Sequence, residues 1–320
     1  MEGGNSSTKS SSSLRWAILR RALLRRPSPL PDEQSQTNVE RISRRATHGF
    51  NLIPCHVMED VADENSNSQL ETDHGSSSRD IRLCYRLPIS GAPEIYLYQR
   101  MDDRAHLNDF EVSNRYNIDN TGLVCSWPSE DVLAHYCLCH ADIFRNKKVI
   151  ELGSGYGLAG LVIAAATEAL EVLISDGNPQ VVDYIQRNIN ANCSAFRGTL
   201  VKSMILHWDR AESLSGFNRF DIIVASDCTF FKEFHKSLAQ TVNLFLRKEG
   251  PSEAIFFSPK RGDSLDKFLV EIKESGLHFS ITEIYDTEVW RRHEGFISGN
   301  DAWPNYEKDH CYPLLVRITL

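Results

Sequence analysis

The stretch "ELGSGYGLAG", Glu151 to Gly160, follows the β-forming run "KKVI" and leads into an apolar segment. It reads in two ways. From Gly155 it is G-x-G-x-x-G, a pattern for a dinucleotide pyrophosphate. From Glu151 it is E-x-G-x-G-x-G, an acidic residue at a strand end followed by alternating glycines, which suits S-adenosylmethionine. Strand register separates the two. Open α/β sheets bind ligands outside the carboxyl ends of their strands. The strand here ends at Leu152, so the tight turn starts at Gly153. The dinucleotide reading starts two residues late. A pyrophosphate also seeks a helix N-terminus, whereas a sulfonium and an amino-acid group tolerate Glu151 nearby, directly or through water. Glycine lets the backbone approach a ligand where a Cβ would collide. Gly160 is then read as packing the following helix against the sheet.

Outward from this loop, strands and helices alternate. Strands are expected at 148–152, 171–175, 199–205, 220–225, 253–258, 278–285 and 312–319. Helices are expected at 158–168, 178–191, 232–247 and 264–275. Such alternation predicts an α/β fold, a mostly parallel sheet with helices on both faces. The last strand run follows the sixth without a convincing helix between them, which leaves room for an antiparallel hairpin at the sheet edge. Upstream, "IRLCYRL" and "EIYLYQR" flank the turn-forming "PISGAP", predicting a β-hairpin. "WPSEDVLAHYCLCH" (127–140) reads as a helix opened by Pro128.

The 320 residues carry a net charge of −8. Residues 1–48 hold nine Lys/Arg against four Asp/Glu, so the arm is +5 and the rest −13. That acidic bulk excludes the basic footprint of a nucleic-acid enzyme. Residues 1–13 are Ser-rich and read as disordered. "LRWAILRRALLRR" (14–26) is a short basic amphipathic helix, stopped by Pro27, Pro29 and Pro31. It fits an organelle transit segment, a membrane-surface or calmodulin-target-like helix, or an arm docked on its own domain. Residues 59–80 hold seven acids and one base and read as flexible, so 49–80 is assigned as an acidic flexible insert, 81–125 as the hairpin region and 126–320 as the main domain. The eight scattered cysteines form no C-x-x-C pair, and no apolar run is long enough to span a membrane, so reduced thiols in the cytoplasm, with the nucleus as a second compartment, are expected. Cys137-Leu138-Cys139-His140 suggests zinc, but a second ligand pair at metal spacing is missing and no metal is assigned.

The strand ends supply the remaining candidates. Asp176 closes the second strand, 23 residues beyond Gly153, where a carboxylate accepts both ribose hydroxyls; an Asx turn with Gly177-Asn178-Pro179 is compatible with that role. Trp208 after the third strand offers an aromatic face for adenine, or is a core tryptophan. The fourth strand ends in "VASDCTFF", placing Asp227 and Phe230 as a D-x-x-F, with Phe231 beside them. A carboxylate and aromatic faces suit an aliphatic amine, held by cation–π attraction. The alternative for Asp227 is an N-cap.

The set "WPSE", "ELGSGYGLAG", "ISDGN", "LHWD" and "ASDCTFF" resembles the seven-β-strand protein-lysine methyltransferases called family 16. The likeness runs from about Leu14 to the C-terminus, and the longer stretches, "DNTGLVCSWPSEDVLAHYCL" and "SPKRGDSL" among them, resemble the plant members that act on calmodulin. The resemblance implies a Rossmann-like class I sheet of seven strands with an antiparallel last strand and a small N-terminal extension. It implies S-adenosylmethionine as cofactor, calmodulin as protein partner, and methylation of one lysine up to the trimethyl state by a monomer. By motif, Trp127, Glu151, Gly153, Gly155, Tyr156, Asp176 and Trp208 would bind the cofactor, and Asp227 and Phe230 would face the lysine. Three rival functions remain at this stage: a nicotinamide oxidoreductase, a small-molecule methyltransferase and a non-catalytic calmodulin-binding module. The first lacks a phosphate-ready loop, and the last leaves the glycine loop without a role.

Overall fold

The computed structural model describes residues 49–58, 80–101, 107–116, 118, 120–124, 127–214, 219–299, 303 and 306–320. The Ser-rich and basic arm with its helix at 14–26, and residues 59–79 of the acidic insert, lie outside them.

Seven strands form the main sheet. They are β4 (Lys148–Leu152), β5 (Glu171–Asp176), β6 (Leu200–Ile205), β7 (Ile222–Ser226), β8 (Glu253–Ser258), β9 (His278–Thr282) and β10 (Leu314–Thr319). Their order is β6-β5-β4-β7-β8-β10-β9. β4 through β8 pair in parallel. β10 runs antiparallel to both β8 and β9, as expected for the last strand. The central strands are apolar on both faces: Val149, Ile150, Ile223, Val224, Ala254 and Phe256 are all fully buried. Parallel strands covered on both faces read this way. Strand order reverses between β4 and β7, and ligands of such sheets bind at that switch point.

The helices around the sheet follow from local sequence. α4 (Leu158–Ala166) is apolar all round, and every residue before Ala166 is buried. α5 (Pro179–Ala191) starts with an Asn178 cap, whose side chain accepts from the Gln180 N–H, and with Pro179 in its first turn. α6 (His235–Phe245) and α7 (Ser264–Glu274) complete the expected set.

Between β9 and β10, where no helix was expected, stands α8 (Thr287–Ser298). Its sequence, "TEVWRRHEGFIS", buries only Val289 and His293, so its apolar stripe is too thin to read. Its ends are clear in hindsight. The Asp286 carboxylate accepts from the N–H groups of Glu288 and Val289, and Gly299 closes the helix at φ +71°.

The expected hairpin is present as β2 (Asp80–Arg86) and β3 (Glu94–Arg100), but a third strand, β1 (Cys55–Met58), pairs antiparallel with β2. Residues 49–58 therefore do not belong to a flexible insert. Phe50 and Ile53 are fully buried, and the Phe50 ring packs edge-on against Phe296 and Trp303. Beyond the hairpin, α1 (Leu107–Tyr116) and α2 (Thr121–Val124) are further departures from the expected hairpin region, and α3 (Pro128–Cys139) begins at Pro128 as expected.

Two asparagines cover the outer edge of β3. Asn192 accepts from the Tyr96 N–H (2.8 Å) and donates to the Tyr96 carbonyl (2.6 Å). Asn188 does the same to Tyr98, at 2.7 and 3.2 Å. One helical turn rises about 6 Å over four residues, and two strand residues span about 6.7 Å. Side-chain amides at i and i+4 on α5 therefore match alternate peptides of β3. Asn188 also donates to the Tyr156 carbonyl (3.1 Å), tying the small sheet to the glycine loop.

Candidate functional site

β4 delivers the chain to Gly153, which adopts φ +58°, followed by Gly155 at +57° and Gly157 at +84°. A Cβ on Gly153 would lie 2.7 Å from the Cys228 Sγ and 3.2 Å from the Trp208 ring. The first glycine is thus required by packing as well as by backbone conformation. Gly160 plays the packing role read from the sequence: a Cβ there would meet Ile174 and the Glu151 Oε2, both at 2.6 Å.

Glu151 is not where the sequence reading put it. It is 1 % exposed, its Oε2 accepts the Gly160 N–H at 2.8 Å, and it is not among the residues lining the pocket. Burial holds its carboxyl well above the usual carboxylate range, and the neighbouring Glu130 carboxylate pushes the same way. Glu151 is a buried strut that pins α4 to β4. The strand-end acid of the motif points behind the loop, not into the ligand space.

The pocket opens at the switch point. The other motif residues, Trp127, Gly153, Gly155, Tyr156, Asp176, Trp208, Asp227 and Phe230, all line it. Asp176 accepts the Gly155 N–H with Oδ2 (3.1 Å) and the Asn178 N–H with Oδ1 (2.9 Å). The Asx turn and the pocket position therefore coexist. Tyr156 is buried, and its hydroxyl donates to the Leu123 carbonyl (2.9 Å), fixing α2 over the loop.

Asp227 ends β7 in the left-handed region, at φ +55°. Its side chain is 3 % exposed and its Oδ1 lies 2.6 Å from the Arg261 Nη2, itself 8 % exposed, as a close ion pair without hydrogen-bond alignment. Burial raises the Asp227 carboxyl, and Arg261 and Ser129 counter that rise. The Arg261 guanidinium lies 4.7 Å from the Trp127 ring centre and 5.1 Å from that of Phe230. Phe230 packs edge-on against Phe231, and Phe231 against Phe234. Arg261 is thus a buried counter-ion to Asp227.

Sequence reading missed two groups here, Arg261 in this role and Glu130. Glu130 sits in the first turn of α3, and its Oε1 is sealed from solvent with no hydrogen-bond partner among the described residues. Burial pushes its carboxyl up to about 7, with the charges of Asp131 and Asp227 adding to the rise. The signal for both lay in motifs already noticed, "WPSE" and "SPKRG", where the flanking residues drew the reading.

Four carboxylates line the pocket, those of Glu130, Asp176, Asp209 and Asp227, and the described lining holds no lysine or arginine. A pyrophosphate would find no cation here. A sulfonium with an α-amino group, or an alkyl ammonium, finds acidic and aromatic partners. The residues present therefore fit S-adenosylmethionine.

Comparison with known proteins agrees. The family model described as lysine methyltransferase matches residues 114–275. A calmodulin-lysine N-methyltransferase from Arabidopsis thaliana is 61 % identical over 312 residues, covering 98 % of each chain. The mouse protein-lysine N-methyltransferase EEF2KMT is 27 % identical over 50 % of this chain and 51 % of its own. The Xenopus tropicalis protein N-lysine methyltransferase METTL21A is 29 % identical over 50 % of this chain and 69 % of its own. The chain belongs to the lysine methyltransferase family, and its methyl donor is S-adenosylmethionine.

Proposed function

We propose that this protein methylates one lysine of calmodulin, up to the trimethyl state. The pocket supports the reaction: acidic groups and aromatic faces meet at the carboxyl ends of β4 and β7, without a cationic side chain in its described lining. The near-full-length likeness to the Arabidopsis enzyme supports the substrate.

Asp176 would hold the ribose hydroxyls, Trp208 and Trp127 would flank the cofactor, and the glycine loop would let it lie against the backbone. When bound, S-adenosylmethionine supplies an electrophilic methyl on a sulfonium. The chain's own residues must deliver a neutral amine. A free lysine has a pKa of about 10.4, so only about one in 2,500 is neutral at pH 7. Phe230, Phe231 and Trp127 desolvate the amine and favour the neutral form. Asp227 is balanced by Arg261, so it can accept a hydrogen bond from the amine without the full pull of a lone carboxylate toward ammonium. Its role is orientation. Glu130, with its raised carboxyl, is matched to accept the proton that each amine must lose before it attacks. A trimethylation needs that release three times, once per methyl.

The test is transfer of labelled methyl from S-adenosylmethionine to purified calmodulin, beside a cell extract. One labelled band at calmodulin's size is expected. Label on other proteins but not on calmodulin would overturn the substrate assignment.

A further inference from the structure

On the side of α3 away from its first turn, three metal-competent groups converge. His135 and Cys139 are one helical turn apart and so share a helix face. Asp286, the cap of α8, meets them from far along the chain. The His135 Nε2 is 3.5 Å from the Cys139 Sγ and 3.6 Å from the Asp286 Oδ2. All three donor atoms lie within 4.8 Å of one another.

Both short distances involve the same imidazole nitrogen. A nucleophile–base–carboxylate relay needs the two ring nitrogens to face opposite partners, so this is not such a triad. The carboxylate is also too far for a good hydrogen bond. The two imidazole spacings, 3.5 and 3.6 Å, match the edges of a coordination polyhedron instead. Zinc bonds of about 2.3 Å to sulfur and about 2.0–2.1 Å to nitrogen or oxygen, at a tetrahedral angle, set ligand atoms about 3.3–3.6 Å apart. The other oxygen of Asp286 is held by the Glu288 and Val289 N–H groups, at 2.8 and 2.9 Å, which fixes the direction of Oδ2. Ligating carboxylates are commonly steadied in this way. Among the described residues the imidazole's polar neighbours are this thiol and this carboxylate, both at Nε2.

We propose that His135, Cys139 and Asp286 form a zinc-class metal site, with water as the fourth ligand, joining the last turns of α3 to the start of α8. The donor set of thiolate, imidazole and carboxylate excludes calcium and magnesium, which take oxygen ligands, and selects a borderline-soft ion. Coordination releases the thiol proton to solvent and changes no oxidation state. Cys139 is exposed, which gives the ion a way in. The local run "CLCH" that suggests zinc in the sequence is a different set. Cys137 is fully buried, and the His140 ring stacks on Tyr136 at 4.0 Å.

The test uses the full chain, stripped with a chelator, kept reduced, and titrated with cobalt(II) and then zinc. The wild type should take up one cobalt with a thiolate charge-transfer band and tetrahedral visible bands, and one zinc should displace it. Cys139→Ser should abolish the charge-transfer band, and His135→Ala should weaken zinc at least about tenfold. Asp286→Asn keeps an oxygen acceptor for the helix cap, so it should weaken zinc similarly with an unchanged Tm. No thiolate band in the wild type, a band that survives Cys139→Ser, or variants that all keep the wild-type zinc affinity would each overturn the site.

Discussion

Replacing Arg261 with methionine tests how the reaction end of the pocket is held. Methionine keeps much of the side-chain volume between Trp127 and Phe230 but removes the charge. Asp227, 3 % exposed, would then be a buried carboxylate without its counter-ion. Breaking a buried pair from one side costs about 3–5 kcal/mol, and loss of the guanidinium over two rings adds about 0.5–2 kcal/mol. The carboxylate has an escape, which gives the prediction its pH signature. Asp227 is already raised above its unfolded value, and losing Arg261 raises it further. The folded variant then holds a proton that the unfolded chain releases above about pH 4. Stability of the variant relative to wild type therefore falls by about 1.4 kcal/mol per pH unit once pH passes the wild type's own raised folded pKa. The fall stops once pH passes the variant's folded pKa. Urea unfolding of wild type, R261M, D227N and D227N/R261M at several pH values measures this. R261M should lose little at pH 5 and the full amount at pH 8, and the double variant should recover most of the pH-dependent part. A loss in R261M that is the same at both pH values, or a double variant no more stable than R261M at pH 8, would refute the buried-pair reasoning.

Three other outcomes are expected. Glu130→Gln should slow single-turnover methyl transfer by about 100-fold and remove a limb with an apparent pKa of about 7 from its pH–rate profile, with S-adenosylmethionine affinity kept; an unchanged profile removes Glu130 from proton transfer. Gly153→Ala, which forces φ +58° on a Cβ residue and drives it into Cys228 and Trp208, should weaken cofactor binding at least tenfold, roughly the 1–2 kcal/mol of left-handed strain alone, as read by calorimetry. Glu151→Gln should leave cofactor affinity within about twofold, since the residue is a buried acceptor for the Gly160 N–H outside the pocket lining, whereas Glu151→Ala should cost about 1–3 kcal/mol of stability by orphaning that donor; a large affinity loss in Glu151→Gln would return the residue to the pocket.

Much of the main sheet was legible because its signals are local. Apolar runs such as "FDIIVA" and "EAIFFS" have the length and β-branched or aromatic content of buried parallel strands, and the helices between them carry full apolar faces or clear caps. What was missed depends on contacts distant in sequence. α8 is held by two buried side chains and two caps. Residues 50–53 look like the start of a linker until Phe296, Trp303 and Asp131 are seen around them. β1 is four residues long, and its pairing with β2 crosses the whole acidic segment. Loop closure over such a stretch costs little more than over a short one, so an insert there does not prevent the pairing, and composition alone cannot announce it.

The same limit explains the site. Glu130, Glu151, Asp176 and Asp227 are four carboxylates around one loop, and sequence position offered a role for each strand-end acid on equal terms. Their chemistry is set by what each oxygen meets. Glu151 meets one peptide N–H in a sealed interior, and burial raises its carboxyl. Asp176 meets the Gly155 and Asn178 N–H groups and lines the pocket wall. Asp227 meets a guanidinium brought by the loop after β8, some thirty residues on. Glu130 has one oxygen sealed without a partner, and its affinity for a proton rises to near neutrality. Acid–base assignments follow from environments that push like groups apart. By that rule Glu130, with its carboxyl raised to about 7, and Glu151, buried against the Gly160 N–H, are told apart by the fold and not by the motif.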